Sequence, residues 1–350
     1  MQDVYHSQGV NKCSTHAAQA RGQQTPQKST HRGQSSPTQK PLSLDKLAAS
    51  GTKPEKDILL SRAKYKDFSY CLALSLSNIQ GSPLHKSYRN TAFCASVLML
   101  EGKKETSHYC GNRWCVVCNR IRTAKLINSY VPQILLMKNP YLVTLTKPNV
   151  DGKDLRTEFI GMNKGISKIV GKHKKRYQRG QQGWKINGIK KLECTYSKHL
   201  DNFHPHFHFI VDGKEAAEAL VSDWLKIYPC ADRKGQDIRK AGLGSEKELF
   251  KYFAKIVTRL ENNTFGVYVK SLDTIFCAMK GLQVVSNLGD IKPVNEEIDE
   301  IQAQDLDEYY HFSVSKYFPE YRDWVDFETG ELRTGYKRSE PLDEIINNFV

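Results

Sequence analysis

The stretch His204-Pro-His-Phe-His-Phe-Ile-Val211 decides how this chain is interpreted. Side chains of a β-strand alternate between two faces, so a strand here places His206 and His208 on one face and the phenylalanines on the other. Two imidazoles at this spacing are able to share one divalent metal ion. The structural alternative is a pair of histidines that only satisfy each other within a sheet. The neighbouring residues favour the metal.

A second β-rich run, Lys191-Leu-Glu-Cys-Thr-Tyr196, precedes the histidines. Glu193 and Thr195 alternate there with apolar residues, which predicts one polar and one apolar face. If the two strands pair, Glu193 lies across from the imidazoles and completes a set of two nitrogen ligands and one oxygen ligand. Such mixed ligation suits Mn²⁺ or Mg²⁺ acting on phosphate oxygens. His204, at the entry of its strand, is predicted to support this site or to contact DNA.

The segment from Ser245 to Leu260 has helical periodicity, with its large apolar residues on one face. Glu248, Tyr252 and Lys255 lie outside that face, with Glu248 four residues before Tyr252 and Lys255 three residues after it. Tyr252 is the candidate nucleophile, and Lys255 would stabilise its phenolate or the charge of the phosphorane. Glu248 has an alternative role, because Ser245-x-x-Glu248 is also a capping box.

Four of the nine cysteines form a cluster that includes a C-x-x-C pair. Disulfides are not expected, because the N-terminus shows no signal-peptide pattern. The cluster predicts a structural tetrahedral zinc site, since four protein ligands leave no open position for a substrate. His108 is an alternative ligand, and unligated buried thiols are the structural alternative. The four cysteines are Cys94, Cys110, Cys115 and Cys118.

The formal net charge of +14 favours a polyanionic partner, although a merely soluble basic protein has the same signature. No run approaches the roughly 20 apolar residues of a membrane span, so neither export nor a membrane partner is expected. Basic side chains concentrate beside the cysteines and in one later run. Those predicted to bind DNA are Arg113, Arg120, Arg122, Lys125, Lys174, Lys175 and Arg176.

Composition divides the chain into four predicted segments. Residues 1–57 are a disordered basic tail, because they contain hardly any large apolar residues. Residues 58–130 form an N-terminal subdomain with the cysteine cluster, and residues 131–285 form the catalytic domain. Residues 286–350 are an acidic and aromatic C-terminal extension, either docked on the core or competing with DNA for the basic face. The order of strands and helices predicts an α+β fold with a mostly antiparallel sheet.

These motifs, in this order, resemble the replication initiators (Rep) of small rolling-circle plasmids, within the HUH endonuclease superfamily. The resemblance covers roughly residues 90–285. Their shared order makes it specific, whereas any one motif alone would be weak. The matching stretches are Phe93-Cys94, Cys110-Gly-Asn-Arg-Trp-Cys-Val-Val-Cys118, Leu142–Asn149, Leu192–Tyr196, His204–His208 and Glu248–Lys255.

The resemblance implies the HUH variant of a ferredoxin/RRM-like sandwich with an antiparallel central sheet, preceded by a zinc-knuckle-like segment. It implies that Tyr252 attacks a phosphodiester of the origin, forming a 5′-phosphotyrosyl link and releasing a 3′-OH primer. His206, His208 and Glu193 would hold Mn²⁺ or Mg²⁺, and Glu248 would activate water at termination. The implied partners are single-stranded origin DNA, a host helicase and a polymerase, in a bacterial cytoplasm.

Three other functions stay open on the sequence. A transposase or relaxase of the HUH type would use the same tyrosyl ester. A zinc-containing DNA-binding regulator without catalysis would not depend on Tyr252 at all. A metal-dependent hydrolase without a covalent step would need only the histidine pair.

Overall fold

A computed structural model describes residues 55–101, 104–242, 244–250, 254–260, 262–294 and 313–350. The tail predicted at residues 1–57 lies outside them except for its last three residues. None of the described helices combines the length and apolar character of a bilayer span. The helices are α1 (Glu55–Ser77), α2 (His85–Ala92), α3 (Val116–Leu135), α4 (Leu155–Gln178), α5 (Lys214–Ile227), α6 (Ser245–Phe250), α7 (Val269–Met279) and α8 (Glu340–Asn347). The strands are β1 (Val97–Glu101), β2 (Lys104–Ser107), β3 (Pro140–Thr146), β4 (Gly188–Ser197), β5 (Asn202–Asp212), β6 (Asp237–Lys240), β7 (Thr258–Arg259), β8 (Phe265–Gly266), β9 (Val285–Leu288), β10 (Ser313–Phe318) and β11 (Asp323–Asp326).

The central sheet has five strands in the order β6-β3-β5-β4-β9. Every neighbouring pair in it is antiparallel. The predicted antiparallel sheet is therefore confirmed, and β5, the histidine strand, lies at its centre. Alternation along β5 gives this strand one aromatic and one imidazole face, as its sequence predicts.

The aromatic face of the sheet carries the main core. Phe207 and Phe209 are fully buried there, and Phe207 contacts the ring of Trp224 from α5 edge-on. α4 packs on this face and contributes to the same core. Its apolar positions recur every three to four residues, so one side of α4 enters the core. These buried α4 residues are Phe159, Met162, Ile166 and Ile169.

The imidazole face is covered at one end by α3 and α6. Leu249 and Phe250 of α6 cluster with Ile210 of β5, and Phe250 stacks on Tyr130 of α3 at a centroid distance of 5.9 Å. Ile210 lies on the same face two residues beyond His208, and as an apolar residue it needs this cover.

The predicted helix from Ser245 to Leu260 is wrong beyond its first turns. α6 ends at Phe250, and Ala254 forms a parallel bridge with Cys194 of β4. The chain then enters β7. Ile, Val and Thr at 256–258 are β-branched and therefore weak helix formers, and the bridge gives the Ala254 backbone a sheet partner. Lys255 is exposed and lies on no helix.

A second sheet joins the two ends of the described chain. Its order is β11-β10-β1-β2, and β1 pairs with β10 so that Val97 lies opposite Lys316. Trp324 of β11 is buried and donates its indole N–H to the carbonyl of Ala95 at 2.9 Å. Residues 313–350 of the predicted extension are therefore docked on the core, and residues 286–288 belong to β9, which pairs with β4 in the central sheet. The predicted acidic run at residues 296–308 lies outside the described residues.

Candidate functional site

β4 and β5 bring one carboxylate and two imidazoles together. Glu193 lies directly opposite His206 in the ladder, and His208 follows two residues later on the same face. Glu193 Oε2 is 3.4 Å from His206 Nε2 and 3.5 Å from His208 Nε2. These separations fit three ligands around one ion at metal–ligand distances of about 2.1 Å. The group could therefore hold a metal ion, as predicted.

Hydrogen bonds at the far ring nitrogens orient both imidazoles. His206 Nδ1 donates to the carbonyl of His204 at 3.1 Å, and His208 Nδ1 is 3.1 Å from the hydroxyl of Thr144 on β3. A proton on Nδ1 leaves the lone pair of Nε2 available for a metal. Both Nε2 atoms face the carboxylate, so the supporting contacts preset the two rings for ligation. Sequence reasoning did not single out Thr144.

A buried lysine completes the charge balance of this group. Lys191 is 2% exposed, and its Nζ donates to Glu193 Oε1 at 2.5 Å. Burial acts to raise the pKa of Glu193, but hydrogen bonds with His206 and His208 and the charge of Lys191 outweigh it and hold that pKa well below its usual range. The Glu193 carboxyl is thus ionised and able to bind a metal cation. Sequence reasoning missed Lys191, although its place two residues before Glu193 puts it on the same face.

His204 lies beside the ligand group without joining it. Its Nδ1 is 2.8 Å from Asn149 Oδ1, and its ring stacks on His206 at a centroid distance of 5.2 Å. Burial, helped by the neighbouring His206, lowers the pKa of His204, which favours the neutral ring. These contacts support the placement of His206. A contact between His204 and DNA stays a prediction.

The predicted catalytic segment approaches the same face of the sheet. Glu248 is half-buried on α6, and Lys255 follows the bridge at Ala254. Tyr252 lies outside the described residues. The N–H of Glu248 donates to the carbonyl of Gly244, and Ser245 Oγ accepts from the N–H of Gly242. A capping role for the Glu248 side chain stays a prediction.

The four predicted cysteines form a second ligand group. Cys118 Sγ lies 3.4 Å from that of Cys94 and 3.7 Å from that of Cys110, and all four sulfurs lie within 4.8 Å of one another. A tetrahedron with Zn–S bonds of about 2.3 Å has edges of about 3.8 Å. The cluster therefore has the size of a Cys₄ zinc site. His108 is not a member of the group.

A helix start and a buried amine stabilise negative charge in this cluster. Cys115 is the N-cap of α3, and its Sγ accepts from the N–H of Cys118 at 3.4 Å. Lys66 is 1% exposed and donates to the carbonyl of Ala92 at 2.8 Å and to Ser96 Oγ at 3.1 Å. Burial lowers the pKa of Lys66 to about 8, although charge on the nearby cysteines acts to raise it.

The predicted DNA-binding residues are spread over several surfaces. Arg113 donates to the carbonyls of Met279 and Leu282, and the Arg120 guanidinium lies 3.6 Å from the centre of the Tyr65 ring. Arg122 donates to the carbonyl of Gly111 at 2.9 Å, and Lys125 is exposed. Residues 174–176 are exposed at the end of α4, which packs on the aromatic face. The structure therefore does not bring this last set to the histidines.

Comparison with known proteins places the central part of the chain. Residues 101–215 match the family described as replication protein, a range that holds Glu193, His206 and His208 and ends before α6. Protein rep of Staphylococcus aureus is 31% identical over 127 residues, which cover 34% of this chain and 52% of that protein. The chain thus spans about half the length of this relative, and no solved structure matches it. Residues 101–215 are thus similar to the replication-protein family, and the predicted resemblance to a Rep initiator is confirmed at that level.

Proposed function

We propose that this chain is a replication initiator that nicks origin DNA through a tyrosine. One observation carries the proposal: His206, His208 and Glu193 converge on one point within a replication-protein domain. Two imidazoles and a carboxylate leave coordination positions for substrate oxygens, which suits catalysis on phosphate better than a structural site. α6, which packs on the same face, leads directly to Tyr252 in sequence.

The proposed reaction is a transesterification. The phenolic oxygen of Tyr252 attacks the scissile phosphorus, and the bond from phosphorus to the 3′-oxygen breaks. The products are a 5′-phosphotyrosyl link and a 3′-oxygen that takes up a proton to become the primer hydroxyl. A bound Mn²⁺ or Mg²⁺ would supply charge neutralisation at the phosphate oxygens. Lys255 remains a candidate for stabilising this charge from outside the helix.

Closing or releasing the strand at termination requires a second attack on a phosphate. Glu248 precedes Tyr252 by four residues and is half-buried on α6. A carboxylate at this position is proposed to activate the water or hydroxyl that replaces the tyrosyl ester. Its half-buried setting at the side of the imidazole face supports that assignment.

The finer fold and the second metal are part of the same proposal. A five-stranded antiparallel sheet with the histidines on its central strand supports the HUH variant of the ferredoxin-like sandwich. The cysteine cluster is proposed to hold a structural Zn²⁺, because it offers four thiols and no open position. Origin DNA in a bacterial cytoplasm, with a host helicase and polymerase acting on the nicked product, completes the proposal.

The decisive experiment is cleavage of end-labelled single-stranded origin DNA in Mn²⁺ or Mg²⁺, resolved on a denaturing gel. The wild-type chain is expected to give a slow protein–DNA band and a free 3′-OH fragment. Tyr252→Phe should abolish both. Tyr177→Phe, which changes an exposed tyrosine on α4, is the matched control and should leave both intact.

Other outcomes would select other functions. Cleavage that survives in Tyr252→Phe but needs His206 would indicate a hydrolase without a covalent step. Binding of verified origin DNA without any cleavage would indicate a regulator. A covalent adduct that transfers the strand to a second DNA but supports no replication would indicate a transposase or relaxase.

A further inference from the structure

A small pocket of about 180 Å³ lies beside the Glu193 group, between α3, β4 and the chain just before β9. Three cationic side chains line it, and no carboxylate does. Its other polar walls are amide or hydroxyl side chains. The polar lining residues are Arg113, Arg122, Lys191, Asn119, Thr123 and Gln283.

Within the part of the chain that the structure describes, one donor in this pocket has no acceptor. Arg122 Nη2 donates to the carbonyl of Gly111, but Nη1 is buried and has no hydrogen-bond partner among those residues. A buried N–H of a charged group that stays unpaired costs at least about 1–3 kcal/mol, so such atoms are rare in folded proteins. An oxyanion in the pocket would satisfy it and would meet the surrounding positive charge.

The pocket communicates with the candidate metal group through one side chain. Lys191 lines the pocket and also donates to Glu193 Oε1. An anion held by Arg122 and Lys191 therefore lies within one side-chain contact of the carboxylate. Lys191 lies on the same face of β4 as Glu193, so the pocket adjoins the imidazole face, where the scissile phosphate is proposed to bind.

We infer that the Arg122 pocket binds a phosphate group of the DNA strand adjacent to the scissile phosphate. The inference rests on the proposed function and adds a phosphate subsite to it. Arg122 is then a positioning residue, because it fixes the register of the strand without touching the reacting atoms. Free inorganic phosphate has the same chemistry, and the experiment separates these two sources.

The test uses the full chain and origin strands in which one phosphate at a time near the nick is a neutral methylphosphonate. At one position, the wild-type chain should bind the neutral strand about tenfold more weakly. Arg122→Gln should weaken binding of the unmodified strand to a similar degree and should lose sensitivity at that position alone, as coupled partners do. Arg239→Gln removes an equal charge from an exposed pair with Asp237 and should keep the sensitivity.

The possible results either support or overturn the inference. Unchanged sensitivity at every position in Arg122→Gln would overturn it. A second result would also overturn it. If inorganic phosphate stabilised the wild type but not the variant, and no methylphosphonate weakened DNA binding, the pocket would bind free phosphate and not the strand. If Arg122→Gln melts early, Arg122→Lys, which keeps the charge but loses the fork, should show partial sensitivity. Failure of the proposed function is distinct, because Tyr252 would then form no adduct even where the phosphate footprint is present.

Discussion

The two candidate metal groups of this chain differ in their ligand types and in the secondary structure that carries them. The cysteine cluster gathers four ligands of one type, three of them buried, at the start of a helix. The Glu193 group gathers three ligands of two types on a sheet and orients its imidazoles through their outer nitrogens. A closed sulfur shell suits a structural ion, whereas an incomplete nitrogen and oxygen shell leaves room for a substrate.

Each group also has its own buried lysine, and the two lysines differ in their hydrogen-bond acceptors. Lys66 has neutral acceptors in a carbonyl and a hydroxyl, so it balances the cysteines at a distance. Lys191 is paired directly with the ligand Glu193. A cation inside the ligand shell competes with a metal for the carboxylate, while one outside it does not. We therefore expect the cysteine group to retain a bound ion and the Glu193 group to exchange one.

The largest expected effect separates the groups by stability. Cys115→Ser removes a fully buried ligand, and structural zinc contributes about 10–16 kcal/mol of apparent binding free energy in small zinc domains. The variant is expected to lose zinc and to be largely unfolded around α3. Metal analysis and circular dichroism check this. Cys230→Ser, at a half-buried cysteine outside the cluster, should keep both zinc and fold. Equal zinc content in the two variants would contradict the assignment.

The second effect separates them by activity. His208→Ala should reduce origin cleavage at least about 10²–10³-fold, because a missing ligand weakens the metal that acts on the phosphate. Its melting temperature should change little, since no core packing depends on this ring. Gel cleavage rates and thermal melts give the two readings. His199→Ala, at an exposed histidine, is the control. A His208→Ala variant that cleaves origin DNA at the wild-type rate, or that melts at a much lower temperature, would contradict this prediction.

The third effect tests the lysine inside the ligand shell. Glu193→Gln leaves Lys191 charged and buried without its anion, so metal-free protein should lose about 3–5 kcal/mol of unfolding free energy. Adding Lys191→Met should restore most of it. Because the pKa of Glu193 is depressed, wild-type stability from this pair is complete above pH 4.5 and falls as the pH drops further. Urea unfolding at several pH values measures these free energies. If the losses of the two single variants simply added in the double variant, the prediction would be contradicted.

The smallest effect concerns Lys190, the residue of β4 just before Lys191, which faces the opposite side of the sheet. Burial lowers the pKa of Lys190 from 10.5 to about 8, so its charge opposes folding below pH 8, and stability should rise between pH 8 and 10.5. Lys190→Met should therefore gain about 1–2 kcal/mol at pH 7 and lose that rise. Denaturant melts measure both. Lys164→Met, on the exposed side of α4, should change stability by less than about 0.5 kcal/mol. A less stable Lys190→Met would show that its bond to Asn163 outweighs the cost of burial.

The central sheet and most of the candidate site were predictable because local patterns determine them. Alternation in β5 placed His206 and His208 together, and the same rule placed Glu193 opposite them. The course of the chain beyond Phe250 was not predictable, because apolar residues at helical spacing also suit extended backbone, and the bridge from Ala254 reaches Cys194, which is distant in sequence. The second sheet was not predictable either, since β1 and β10 are more than 200 residues apart.

The pairing of β1 with β10 has a consequence during protein synthesis. At about 5–20 residues per second, a ribosome needs roughly 10–40 s to extend the nascent chain from β1 to β10. During that interval the β1–β2 hairpin exposes an unpaired strand edge, which is a template for association with other chains. The neighbouring cysteines are made well before Trp324, whose indole N–H donates to the carbonyl of Ala95. The yield of folded protein is therefore expected to depend on the rate of translation between β1 and β10.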